Sequence, residues 1–110
     1  MKINKKLWDS YGLTGRIWMV EYDEDSVKDA LAEVPEDVME SAIKQANYWV
    51  YNRRSPNWDY CRTSAVEKQM LRNDPEKYEV RRQAFIRHVL ATVTSRHPDV
   101  VGTIVEEAAA

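Results

Sequence analysis

The sequence predicts an all-α domain, a compact bundle of four or five helices with an N-terminal arm or small β-hairpin laid across it. Three observations lead there. Only three glycines and four prolines interrupt 110 residues, too few turn residues for a loop-rich β-sandwich. Those breakers fall between long runs of helix-compatible residues. Three of the prolines, Pro35, Pro75 and Pro98, stand at the head of patterns whose apolar residues recur at helical spacing. The competing class is α+β, and residues 1–22 alone carry it.

Those first residues read as an arm or a hairpin. Arg16 to Tyr22 is β-branched and aromatic, with Trp18, Val20 and Tyr22 on one side of a strand. Ile3, Lys5 and Leu7 alternate weakly upstream, and Asp9 to Gly15 supplies turn residues between the two runs. A lone two-stranded hairpin is marginal in water unless it packs on something. The helical core then begins at 23. Ser26 followed by Asp29 matches a capping box, and Val27, Ala30, Leu31 and Val34 follow at helical spacing. An EF-hand loop from Asp23 would need glycine at 28 and glutamate at 34, where Lys28 and Val34 stand, so calcium is not expected.

From Pro35 the second helix places Val38, Met39, Ala42, Ile43, Ala46, Trp49 and Val50 within an arc of about 140°. That arc is the expected core stripe, and it includes Trp49. Tyr48 and Tyr51 fall on the opposite half, near Lys44. Pro56 breaks the chain between Asn52 and Asn57. A third helix over Asn57 to Asn73 has no single apolar face, which suits either a sandwiched helix or one exposed at an interface. Asp74-Pro75 is a helix start made of an N-cap and a first-turn proline. Behind it Tyr78, Phe85, Ile86, Val89, Leu90 and Val93 make a strong stripe. Arg82 lies within that stripe, to snorkel out or to meet a buried carboxylate. Arg81, Arg87 and His88 lie outward. Val100, Val101, Ile104, Val105 and Ala108 make the last helix amphipathic, with Ala108 to Ala110 expected to fray.

At this length the chain is one domain, 1–110, large enough to bury about 65% of its unfolded surface. With 44% hydrophobic and 31% charged residues its composition is that of a folded globule. The lone cysteine, Cys61, excludes an internal disulfide and a cysteine-based zinc site. No apolar run follows the basic N-terminal residues, and none reaches membrane-spanning length. A cytoplasmic setting is the expectation. The net charge of -2 is unevenly spread: residues 1–52 carry six basic and ten acidic side chains, residues 53–97 ten and five, and residues 98–110 none and three. A basic middle would bind an acidic partner or be neutralised by the chain's own acidic ends.

Chemistry is sparse. The two histidines, His88 and His97, are nine residues apart, which is not a metal-ligating helical spacing, and Cys61 reads as a small core residue. No phosphate-binding glycine loop is present. No metal, no cofactor and no enzyme activity are expected. One stretch rises above this background: Tyr48 to Arg62 packs five of the eleven aromatic residues and three arginines around Pro56. Such residue types are enriched at protein-interface hot spots and also stack on unpaired bases.

The expected function is a small non-catalytic interaction module, an adaptor, inhibitor or regulator that docks on a larger protein. The expected binding residues are Tyr48, Tyr51, Arg53, Arg54, Trp58, Tyr60 and Arg62, with Arg81 and Arg87 as outer contributors. Self-association through the third helix or the arm is a variant of this. The alternative is an accessory protein that binds nucleic acid through basic residues 53–97, Arg96 included. A sequence pI near 5.7 speaks against it.

Overall fold

In the computed structural model, residues 3–109 are described; Lys2 of the expected arm and Ala110 of the expected frayed end lie outside them. Eight helices form in chain order: α1 (Lys5–Ser10), α2 (Leu13–Ile17), α3 (Glu24–Ala30), α4 (Glu36–Tyr51), α5 (Tyr60–Thr63), α6 (Ala65–Asn73), α7 (Pro75–Thr94) and α8 (Pro98–Ala109). No strand occurs among the described residues. The all-α class therefore stands, while the hairpin does not and the helices outnumber the four or five expected. The excess has two sources: the N-terminal arm coils into α1 and α2, and the expected third helix divides at Ser64 into α5 and α6.

α7 is the axis of the molecule. Its 20 residues pack along α4 on one flank and meet α2, α6 and α8 on others. Asp74 caps it by accepting from Lys77 N–H at 3.1 Å, and Pro75 fills the first turn, where its missing N–H costs nothing. All six residues of its predicted stripe are buried. Tyr51 of α4 stacks 6.0 Å from Phe85, and Trp58 meets the same ring edge-on at 5.1 Å. Three aromatic rings thus close the core where α4 ends.

The segment between α2 and α3 shows why no hairpin forms. Met19 closes a turn onto Arg16, and residues 20–23 then run without regular secondary structure, with side chains of α7 pairing with them instead of a second strand. Tyr22 N–H donates to Gln83 Oε1 at 2.9 Å, and Gln83 Nε2 donates back to the Tyr22 carbonyl at 2.8 Å. Arg87 donates twice to the Val20 carbonyl, at 3.1 and 2.8 Å. A buried backbone needs its polar groups satisfied, and here one amide and one guanidinium do what a ladder would.

Two helix starts shift slightly. Asp23, not Ser26, caps α3, its carboxylate accepting from both the N–H and the hydroxyl of Ser26. These bonds hold the Asp23 carboxyl below its usual range. Pro35 is the residue before α4 rather than its first.

The end of α4 carries the largest departure from periodicity. Asn52 takes the left-handed conformation (φ 55°) that lets the chain leave the helix, and its N–H donates to Tyr48 O. The fully buried Asn47 side chain then donates to the carbonyls of Ser55 and Asn57, at 2.7 and 2.9 Å. This draws residues 52–59 over one flank of α4 and buries it. Tyr51 lies on that flank and is 8% exposed; Trp49 lies on the other and is 69% exposed. Both assignments made from the wheel are reversed. The stripe rotates along α4 because its neighbours change: α7 covers the first half, and α7 with the 52–59 strap covers the second.

Candidate functional site

Of the nine residues expected to bind, the structure turns five inward or engages them within the fold. Trp58 is 7% exposed, and its indole N–H donates to the buried carboxylate of Glu24 at 3.1 Å. Arg62 pairs with that same carboxylate, which Arg82 approaches to 3.9 Å. Arg81 crosses the Tyr51 ring at 4.7 Å, pairs with buried Glu67 at 2.9 Å and donates to the Val50 carbonyl at 3.3 Å. Arg87 holds Val20. Together with buried Tyr51 these residues knit α3, α4, α5, α6 and α7 together. The reason is electrostatic: Glu24 and Glu67 are nearly solvent-free, and a buried carboxylate must be matched by cations and donors.

Arg82 answers the alternative left open by its place in the stripe. It lies between Glu79, reached at 2.9 and 2.7 Å, and buried Glu24. Its hydrogen bonds hold the Glu79 carboxyl below the ordinary range.

Tyr48, Arg53, Arg54 and Tyr60 remain near the surface. The Arg54 guanidinium lies 5.7 Å from the Tyr48 ring centroid, and Arg53 lies 6.0 Å from that of Tyr60. Among the described residues neither Arg53 nor Arg54 forms an ion pair. Tyr48 meets Trp49 edge-on at 5.5 Å. The strap that buries Tyr51 therefore leaves a shelf of two exposed rings and one stacked arginine beside it.

The shelf does not end at α4. Trp49 forms one wall of an open trough of about 420 Å³ between α4 and α7, and His88 stands on the facing wall. His88 in turn meets Trp18 edge-on at 5.0 Å, and Trp18 is 42% exposed. A band of aromatic surface thus runs Arg54, Tyr48, Trp49, His88, Trp18 across two helices and the end of α2. Partial burial holds His88 below its ordinary pKa, so it is neutral at pH 7. Ala46 and Ala91 line the trough and Arg96 stands at its far end.

Trp49, His88 and Trp18 are the surface residues that sequence reasoning missed. Trp49 lies within the predicted core arc, Trp18 within the stretch expected to be an arm or hairpin strand, and His88, though expected to face outward, is not among the expected binding residues. One signal was available: His88 falls outside the α7 stripe, as do Arg81 and Arg87. Cys61 is fully buried on α5 and its thiol is pushed up by that burial, which argues against a nucleophile. No described helix is long and apolar enough to cross a membrane. Compared with protein-family models, curated proteins and solved structures, the chain matches none.

Proposed function

We propose that this chain is a small non-catalytic module that docks on a larger protein through the band Trp18–His88–Trp49–Tyr48–Arg54. The observation that carries the reading is Trp49, an indole 69% exposed beside an exposed tyrosine and an open trough. Large rings left in water cost hydration free energy, and rigid aromatics with arginine are the side chains that interfaces use as anchors. The burial of Cys61 supports the non-catalytic part.

The nucleic-acid reading is second. Arg53 and Arg54 near Tyr60, Tyr48 and Trp49 suit it, with rings to stack on bases and Arg96 as a further cation along the trough. Against it, four of the eight arginines of residues 53–97, Arg62, Arg81, Arg82 and Arg87, are engaged inside the fold.

The test places a photo-crosslinking benzoyl-phenylalanine at position 49 and irradiates it in host lysate with and without nuclease. The expected product is a nuclease-insensitive protein adduct. That protein, purified, binds the chain at least ten-fold more weakly after Tyr48→Ala with Trp49→Ala. An adduct that nuclease abolishes moves the reading to nucleic acid. Undiminished binding by the double variant ends it.

A further inference from the structure

The trough has a shape and a polarity that narrow what it can hold. Its sides are α4 and α7, which run antiparallel, since Tyr51 at the end of α4 lies over Arg81 near the start of α7. Trp49 and His88 therefore mark one end, and Val38 and Arg96 the other. From Val38 to Trp49 is eleven residues, or about 16 Å at 1.5 Å per residue. Ala46 and Ala91 keep the floor low, so the space is a channel about three helical turns long.

Charge is one-sided there. The chain carries 18 acidic and 16 basic residues, yet no carboxylate lines the trough, and Arg96 is the charged group at its rim. The Arg96 guanidinium makes no ion pair among the described residues. Thr92 and Ser95 spend their hydroxyl protons on carbonyls of their own helix, at 3.0 and 3.1 Å. Ser41 and Gln45 of α4 add only uncharged groups, so Arg96 is the charged donor facing a ligand at that end.

The mode of entry follows from the fold. The described residues contain no sheet edge to which an extended peptide could add. A channel between two helices instead accepts a third helix laid along it. An apolar side chain is needed only at the Trp49 end, because Ser41, Gln45, Thr92 and Ser95 make the lining between there and Arg96 largely polar and uncharged. Residues i and i+11 of a helix lie within about 20° of each other, so one face can reach both ends of the channel.

We infer that the trough between α4 and α7 seats an amphipathic helix of the partner protein, an apolar side chain against Trp49 and a carboxylate three turns away on Arg96. This rests on the docking reading and names the element that docks. The same band without a helix-and-acid requirement would leave the docking reading intact.

The probe is a displayed library of 18-residue alanine-rich helices, randomised on one face and selected on the wild-type chain. Selected helices are expected to carry an aromatic or large aliphatic residue at one end and Asp or Glu about eleven residues away. A synthetic selected helix should lose at least ten-fold in affinity on Trp49→Ala and on Arg96→Glu. Changing its acid to lysine should restore binding to Arg96→Glu, the reciprocal signature of a direct pair. Both positions are exposed, and circular dichroism checks that the variants keep their helices.

Selected helices with no acidic preference, no charge-swap rescue, or a library that yields no binder would overturn the inference. So would a dimer in sedimentation velocity that Trp49→Ala abolishes, since a second copy would then fill the trough. These outcomes are separate from the lysate experiment. A cross-linked partner that needs Trp49 but ignores Arg96 removes the helix and keeps the docking surface.

Discussion

The indole nitrogen of Trp58 donates to Glu24 Oε1 at 3.1 Å, tying the strap after α4 to the first turn of α3, thirty-four residues away in the chain. Glu24 is 2% exposed, and its other oxygen meets Arg62 and, more distantly, Arg82. One carboxylate therefore fixes three elements, and its desolvation is offset only while those donors stay in place.

Removing it should be costly. Glu24→Ala leaves the Arg82 guanidinium half-buried with one partner fewer and the Trp58 N–H with none. Arg62 can turn back to water, which trims the loss. The expected destabilisation is about 2–3 kcal/mol, with Glu24→Gln milder because its amide oxygen still accepts from Trp58. Urea unfolding followed by tryptophan fluorescence measures it, and equal midpoints for wild type and Glu24→Ala would contradict the anchoring role.

The two tryptophans should behave oppositely. Trp58 packs its ring on Phe85, so Trp58→Ala opens a cavity and should cost about 3–5 kcal/mol. Trp49 stands in water, so Trp49→Ala should change stability by no more than about 0.5 kcal/mol. Thermal melts of both variants decide this. A Trp49→Ala protein as damaged as Trp58→Ala would return Trp49 to the core.

That reversal marks how far the sequence could be read. The helix starts at Asp74-Pro75 and Pro98 and the buried face of α7 are local facts, carried by a cap, a ring and a 3.6-residue period. They were legible. The fate of Trp49 and Tyr51 was not, because it depends on where residues 52–59 go, and Asn47 decides that by bonding two carbonyls eight and ten residues on. The N-terminal arm has the same limit. Arg16 to Tyr22 has strand-like residues, but Gln83 and Arg87, more than sixty positions away, supply its partners. Arginines look alike in a sequence whether they face water or a buried glutamate. Glu24 and Glu67 gave no sign that they would claim Arg62 and Arg81, so a basic-aromatic cluster was legible while its division into core and rim was not.

Acid should loosen the fold partly through His88. Its folded pKa lies below the unfolded value because burial disfavours the charged ring. Between those two values the unfolded chain binds a proton that the folded chain refuses. Stability is therefore lost as pH falls from about 6.5, the unfolded histidine value, down to the folded pKa. Glu79 and Asp23, held low by hydrogen bonds, add a further loss at more acidic pH as they protonate. His88→Gln should flatten the first limb and leave the second. Urea midpoints measured from pH 7.5 to 3 separate the two, and an unchanged upper limb in the variant would acquit His88.

Arginine reversals distinguish the rim from the scaffold most directly. Arg53 and Arg54 stack on exposed or half-exposed rings and form no ion pair among the described residues, so turning both to glutamate removes two weak cation–π contacts. The fold should persist, with a loss near 1 kcal/mol at most. Affinity for the cross-linked partner should fall at least ten-fold, because Arg54 ends the aromatic band. Arg81→Glu is different in kind. It sets a new carboxylate against buried Glu67 and deprives the Val50 carbonyl of its donor, at a cost of about 3–5 kcal/mol. Stability and binding measured on both proteins form the test. A stable Arg81→Glu protein would show that Glu67 needs no counter-ion. A folded Arg53→Glu/Arg54→Glu protein with unweakened partner binding would remove the arginines from the surface and leave Trp49 and Tyr48 to carry it. Gel shifts at low salt complete the pair, since a nucleic-acid ligand held by these arginines would dissociate steeply as salt rises. A protein partner anchored on Trp49 would hold its affinity far better over the same range.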